Sequence, residues 1–276
     1  MDKKKVVKIA DKISVDCFES VIQNIEKTIN ELFDVYFEYL GSTGKKQSGY
    51  YGDIDIGIEW KELEVCFKSS DRDYIFQEIE NKLQKISPEI HVMKSLNIIS
   101  FAYKIDGNKY VQIDFILVES LRWAKFGYFS PSQKESKYKG LHRNILIFSI
   151  ARNSESYQIN EYQIKKKIFD MKSGLYEAIQ KVKSEKTNKS LKHKVTVQRT
   201  LITNVPDEAT KILFGTKFSS NDITSFEKIF QIVLNDDDFI LREKKNIILS
   251  ETYKDFKERN FECPEELENY IEEKKP

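Results

Sequence analysis

Hydrophobic positions recur along the chain with two different periods, which together predict a mixture of helices and strands. Residues 14–32 carry apolar side chains at steps of three and four, the pattern of an amphipathic helix. Residues 53–60 instead alternate apolar and polar positions, the pattern of a half-buried strand. The same criteria predict further elements in the first half of the chain: strands at 34–40, 90–93, 98–103 and 110–118, and a helix at 71–86.

The second half of the chain has a different pattern. After residue 119 we expect a helix over residues 137–151, strand-like runs between 162 and 197, and several short helices after residue 206. The predicted fold class is therefore α/β in the α+β sense, with a small mixed β-sheet backed by helices and an accessory C-terminal region of strands and helices. The predicted domains are a first domain over 1–155 and an accessory domain over 156–276, which is β-rich over 156–203 and helical over 204–276.

Composition narrows the class of protein without identifying it. The 276 residues include 45 Lys and Arg against 44 Asp and Glu, and the net charge of +1 excludes a uniformly basic nucleic-acid-coating protein. Three scattered cysteines without a CxxC pair argue against a disulfide framework and a cysteine-based zinc site. No stretch approaches the roughly 18 apolar residues of a membrane-spanning helix, and the N-terminal apolar patch is too short for a signal peptide. We expect a soluble, cytoplasmic protein without a membrane partner.

The predicted strand at 53–60 presents two carboxylates on its polar face. Ile54, Ile56 and Ile58 share one face of this strand, whereas Asp53 and Asp55 share the other. Carboxylates at positions i and i+2 of a strand point the same way, about 7 Å apart along the chain.

A third carboxylate, Asp114, lies on a later predicted strand, again opposite the apolar face. Three like charges on one patch repel one another, and a multivalent cation relieves that repulsion. Oxygen ligands without a nearby histidine favour Mg²⁺ or Mn²⁺ over zinc. Asp53, Asp55 and Asp114 are therefore the predicted metal ligands and catalytic residues, and two ions held by them would promote in-line displacement at phosphorus.

A glycine-rich loop precedes the first two carboxylates. Gly41 permits close approach of the backbone, and successive N–H groups together with the Ser42 hydroxyl can cradle a triphosphate. Lys45 in the same loop either neutralises phosphate charge or is a solvated surface residue. The loop lacks the G-x-x-x-x-G-K-[ST] spacing, so we exclude a P-loop.

These residues occur in the order that defines a known superfamily. The chain resembles the polymerase-β-like nucleotidyltransferases in this sequence of features: Gly41-Ser42, a loop of ten residues, Asp53-Ile54-Asp55-Ile56 and Ile113-Asp114-Phe115. The resemblance covers roughly residues 15–118. It implies a small mixed sheet backed by helices, and transfer of a nucleoside monophosphate from an NTP such as ATP with two magnesium ions.

The resemblance also implies that the segment after the third aspartate packs beside the nucleotide. On that basis Lys125, Ser130 and Lys137 are candidate nucleotide contacts, with a solvated basic face as the alternative.

The acceptor is predicted from charge placement. Basic residues interleave with aromatic ones over residues 122–143, and lysines dominate residues 165–199, so an RNA terminus such as a tRNA 3′ end is the first candidate acceptor. Lysines that only keep the surface soluble are an equal explanation for the second stretch. Transfer to a protein or small-molecule hydroxyl stays open, as does a non-catalytic module that binds a nucleotide or a partner.

Overall fold

The structure is a computed structural model that describes residues 6–43, 45, 49–154, 157–160, 163–187 and 190–274. It divides the chain into two compact units, unit 1 over Met1–Gln133 and unit 2 over Lys134–Pro276. None of the helices in these described ranges is long and apolar enough to cross a membrane.

Unit 1 is a mixed sheet with helices packed against it. Its elements in chain order are β1 (Ile13–Ser14), α1 (Val15–Phe33), β2 (Phe37–Tyr39), β3 (Tyr50–Tyr51), β4 (Asp53–Glu59), α2 (Trp60–Phe67), α3 (Arg72–Leu83), β5 (Ile90–Met93), β6 (Ile98–Asp106), β7 (Lys109–Val118) and α4 (Leu121–Gly127). The main sheet has five strands in the order β2-β4-β7-β6-β5. Strands β4 and β7 are parallel, and the other neighbours are antiparallel. The predicted mixed α+β fold class is confirmed.

One face of this sheet forms the main core. Ile54 and Ile56 are fully buried and Ile58 is 1% exposed, as their alternation in β4 predicts. They pack in one cluster with the apolar stripe of α1. This helix begins at Ser14, whose side chain accepts a hydrogen bond from the Asp16 N–H, and it ends where Asp34 adopts a left-handed conformation. That helix end leaves β2 shorter than the strand predicted at 34–40.

The opposite face of the sheet is covered at two places by small apolar clusters. One cluster joins β7 to the beginning of α4 and consists of Leu40, Ile116, Val118, Leu121 and Ala124. The other joins the N-terminal segment to β6 and consists of Val7, Ala10 and Ala102. The polar residues of β4 and β7 lie on this face.

Unit 2 contains a second sheet and five helices among its described residues. Its elements are α5 (Gly140–Ser154), β8 (Tyr157–Asn160), β9 (Gln163–Asp170), β10 (Gly174–Thr187), β11 (Ser190–Thr203), α6 (Pro206–Phe214), α7 (Phe226–Asn235), α8 (Lys245–Glu258) and α9 (Glu265–Glu273). The four strands are antiparallel in the order β11-β10-β9-β8.

Helix α5 accounts for a difference between the predicted and the observed division of the chain. Its Ser149 hydroxyl donates to the Ile248 carbonyl at 2.9 Å, and its Arg152 pairs with Asp255 at 2.7 Å, so α5 packs on α8 within unit 2. The predicted boundary after residue 155 would separate these partners. The apolar stripe of a helix shows that the helix is covered, but it does not show which neighbour covers it.

Candidate active site

On the face of the main sheet that carries the carboxylates, paired residues of β4, β7 and β6 form two rows. The parallel pairing of β4 with β7, and the antiparallel pairing of β7 with β6, set these residues opposite one another: Asp53, Gln112 and Ala102 in the first row, and Asp55, Asp114 and Ser100 in the second. Side chains of directly paired residues lie on the same face of a sheet. The structure therefore brings the three predicted carboxylates onto adjacent strands of one face.

Asp114 is held by its neighbour along β7. The Gln112 Nε2 donates to both carboxylate oxygens of Asp114, at 2.9 and 3.1 Å. Gln112 is only 5% exposed, and its Oε1 accepts a hydrogen bond from the Val7 N–H at 3.3 Å. A single neutral amide thus occupies both oxygens of the third carboxylate.

Burial dominates the electrostatics of Asp114. It raises the pKa of Asp114 above the usual aspartate value, and the charge of Asp53 acts in the same direction, while Ser100 and Gln112 partly oppose them. The Ser100 hydroxyl is fully buried without a well-formed hydrogen bond to any described residue, although it lies close enough to lower the pKa of Asp114. Asp53 by contrast is exposed and Asp55 is half-buried.

The turn at Gly41 packs directly against Asp55. Gly41 has a φ of +62°, and a Cβ added to it would lie 2.4 Å from the Asp55 Oδ2. On the other side of the turn, the Asp55 N–H donates to the Thr43 Oγ1 at 3.1 Å. The Ser42 carbonyl accepts a hydrogen bond from the Lys45 N–H at 3.1 Å. The Gly-Ser turn and the Asp-x-Asp strand are therefore in contact, as one site would require.

Two of the predicted nucleotide contacts meet in unit 1. The Lys45 Nζ donates to the backbone carbonyl of Ser130 at 2.7 Å and lies 4.2 Å from the centre of the Phe129 ring. Ser130 is 6% exposed, so this segment after α4 is packed against the glycine-rich loop. In this conformation Ser130 interacts with Lys45 through its backbone.

The other two candidate contacts form ion pairs with carboxylates. Lys125 in α4 lies 3.1 Å from the Glu38 Oε2. Lys137 belongs to unit 2, where it lies 2.9 Å from the Glu266 Oε1, and hydrogen bonding to Glu266 raises the pKa of Lys137. The sequence does not predict either pairing, because the partners are distant along the chain.

The carboxylate cluster matches a divalent cation in its chemistry. Asp53, Asp55 and Asp114 offer only oxygen ligands, which suit Mg²⁺ or Mn²⁺. Across the described ranges, however, no group of three or more His, Cys, Asp or Glu side chains is arranged to hold a metal ion. The three carboxylates are neighbours rather than a preformed coordination sphere, which agrees with the hydrogen bonds that Gln112 makes to Asp114.

Sequence reasoning missed three residues of the site. Gln112 holds Asp114, Thr43 fixes the backbone at Asp55, and Ser100 lies opposite Asp114. Gln112 could have been found, because it lies two positions before Asp114 and strand periodicity places it on the same face. Thr43 and Ser100 could not, since their proximity depends on how separate segments pack.

Comparisons with known proteins add little to this description. No protein-family model and no curated protein matches the chain. Among solved structures, the crystal structure of a ternary gap complex of Leishmania infantum polymerase beta matches 57% of this chain and 52% of its own, with 15% identity and a TM-score of 0.33. The match spans about half of that polymerase chain, and similarity this weak assigns neither a family nor a function.

Proposed function

We propose that this protein is a nucleotidyltransferase that depends on Mg²⁺ or Mn²⁺ and transfers a nucleoside monophosphate from an NTP to an acceptor hydroxyl. The observation that carries the proposal is the paired register of β4 and β7, which places Asp53 and Asp55 beside Asp114 on one face of the sheet. The contact of Gly41 with Asp55 adds a backbone turn suited to a triphosphate.

In the proposed reaction the acceptor oxygen forms a bond to the α-phosphorus, the bond between the α-phosphorus and the bridging oxygen breaks, and pyrophosphate leaves. Asp53, Asp55 and Asp114 would hold two divalent ions, which supply charge neutralisation at the phosphate oxygens. Asp114 accepts the proton of the acceptor hydroxyl. A divalent ion bound by Asp114 would lower the pKa of that hydroxyl and so assist its deprotonation.

Gly41 and Ser42 would bind the triphosphate through backbone N–H groups and the serine hydroxyl. The Lys45 ammonium lies in the same loop, where it donates to the Ser130 carbonyl. It would neutralise the charge of a bound phosphate.

An RNA terminus is the first acceptor we propose, with a protein or small-molecule hydroxyl as the alternative. Unit 2 supports a polyanionic acceptor through its charge: residues 134–276 contain 27 Lys and Arg against 23 Asp and Glu.

Incubation with each α-³²P-labelled NTP and Mg²⁺ or Mn²⁺ tests the proposal. Parallel reactions would contain tRNA, total protein or a metabolite extract. We expect label to transfer to one of these acceptors, and we expect Asp53→Asn combined with Asp55→Asn to reduce transfer by about a hundredfold or more.

Asp106→Asn is the matched control. It makes the same chemical change at an exposed aspartate of unit 1, at the end of β6, and transfer should stay at the wild-type level. Binding of an NTP without transfer to any acceptor would instead indicate a non-catalytic nucleotide-binding module.

A further inference from the structure

The hydrogen bonds of Gln112 fix which end of its amide faces Asp114. A backbone N–H can only donate, so the Gln112 oxygen must face Val7, and the nitrogen must face the carboxylate. Both contacts are within 3.3 Å, and Gln112 is almost completely buried. The side chain therefore has no alternative orientation that satisfies both neighbours.

The Gln112 amide lies at the oxygens through which Asp114 would bind a cation. The amide nitrogen spans both oxygens of Asp114, at 2.9 and 3.1 Å. Across the sheet Asp114 faces Asp55 in register, while Gln112 faces Asp53. A cation shared by the carboxylates would therefore bind to oxygens of Asp114 that already accept hydrogen bonds from the Gln112 amide.

We propose that Gln112 is a positioning residue whose amide competes with a divalent cation for the oxygens of Asp114 and is displaced when the cation binds. The amide stabilises the carboxylate as a neutral donor, so it can be exchanged for a cation without leaving Asp114 unpaired in a buried place. The inference rests on the proposed function only in taking the three aspartates as cation ligands. Unlike the proposed function, it requires no turnover.

Mn²⁺ binding to the full-length protein, followed by the electron paramagnetic resonance signal of free Mn²⁺, tests the inference. Gln112→Met keeps the size of the side chain and removes the donor, whereas Gln112→Asn keeps the amide but shortens its reach by one methylene. We expect both variants to bind Mn²⁺ about tenfold more tightly than wild type, because a hydrogen bond to a charged group no longer has to be broken.

Asp114→Asn, alone and combined with Gln112→Met, shows whether the gain acts through Asp114. These two proteins should bind Mn²⁺ equally, since without the Asp114 carboxylate the Gln112 amide no longer competes with the cation. Gln77→Met, at an exposed glutamine of α3, should bind as wild type does. Thermal unfolding of every variant confirms that each one is folded.

An unchanged or weaker Mn²⁺ affinity in both Gln112 variants would overturn the inference. So would a gain that persists without Asp114, or an absence of Mn²⁺ binding in every protein. If the Mn²⁺ results are as expected but no NTP is transferred, only the proposed function fails. If transfer occurs and the Gln112 variants show no gain, only this inference fails.

Discussion

Two separate constraints favour glycine over any other residue at position 41. Its φ of +62° lies in the left-handed region, which costs a residue with a Cβ roughly 1–2 kcal/mol. In addition, a Cβ would lie 2.4 Å from the Asp55 Oδ2, so the carboxylate would have to move. The first constraint concerns stability alone, whereas the second concerns the proposed site.

We predict that Gly41→Ala lowers the free energy of unfolding by about 1–2 kcal/mol and also impairs nucleotidyl transfer severely. The loss of activity follows from displacement of Asp55, because a catalytic group misplaced by about 1 Å can lose a hundredfold in rate. Urea unfolding and the labelled-NTP assay measure the two effects.

Gly107→Ala separates strain from displacement. Gly107 has a φ of +50°, but a Cβ there would have no neighbour within 4 Å. This variant should show the loss of stability and retain transfer. Equal losses of transfer in both variants would mean that backbone strain, and not the Asp55 contact, explains the Gly41 result.

Asp114 shows a conflict between stability and the proposed function. Burial raises its pKa in the folded protein, so folding favours the protonated form. The contribution of this group to stability is complete below the ordinary aspartate pKa and is lost as the pH rises through the raised value.

We therefore predict that Asp114→Asn stabilises the fold at pH 7 by about 1 kcal/mol while it abolishes transfer. Asparagine does not titrate, and its side-chain oxygen can still accept from Gln112. Urea unfolding between pH 3 and 8 should show that the gain grows with pH and then reaches a plateau. A constant gain over the whole range would show that the charge of Asp114 is not its cause.

At the scale of elements, the alternation of β4 and β7 was enough to predict the faces on which the carboxylates lie. The burial of Ile54, Ile56 and Ile58 confirms that prediction for β4. The pairing of Asp55 with Asp114 could not be derived in the same way, because register depends on how distant segments meet. The role of these residues in metal binding and transfer stays a prediction.

Helix α4 approaches β4 closely at Gly57. A Cβ at this position would lie 2.8 Å from the Leu40 Cδ1 and 2.9 Å from the Leu121 Cδ2. We predict that Gly57→Ala destabilises unit 1 by about 1–3 kcal/mol through overpacking. Urea unfolding measures the change.

Gly52→Ala is the control for Gly57→Ala, because a Cβ at Gly52 would have no neighbour within 4 Å. Its stability should stay within about 0.5 kcal/mol of wild type. A Gly57→Ala protein as stable as the control would show that the β4–α4 contact can relax to accept a methyl group.

For the whole molecule, the net charge of +1 is the sum of a net negative charge on unit 1 and a net positive charge on unit 2. Residues 1–133 contain 18 Lys and Arg against 21 Asp and Glu, whereas unit 2 has an excess of basic residues. Total charge therefore excludes a uniformly basic protein, but it does not describe the charge of either unit. The sequence predicts this uneven distribution of charge. It also predicts that the first domain ends after residue 155, whereas unit 1 ends at Gln133.

The division of the chain can be tested by truncation. Helix α5 buries Ile145, Leu146, Ile147 and Ile150 within unit 2, so a polypeptide of residues 1–155 would carry this helix without the partners that cover it. We predict that residues 1–133 form a soluble monomer that unfolds cooperatively in urea, whereas residues 1–155 self-associate through the exposed helix. Size-exclusion chromatography with light scattering distinguishes the two. A monomeric 1–155 and an aggregated 1–133 would place α5 with the first domain, as the predicted boundary after residue 155 does.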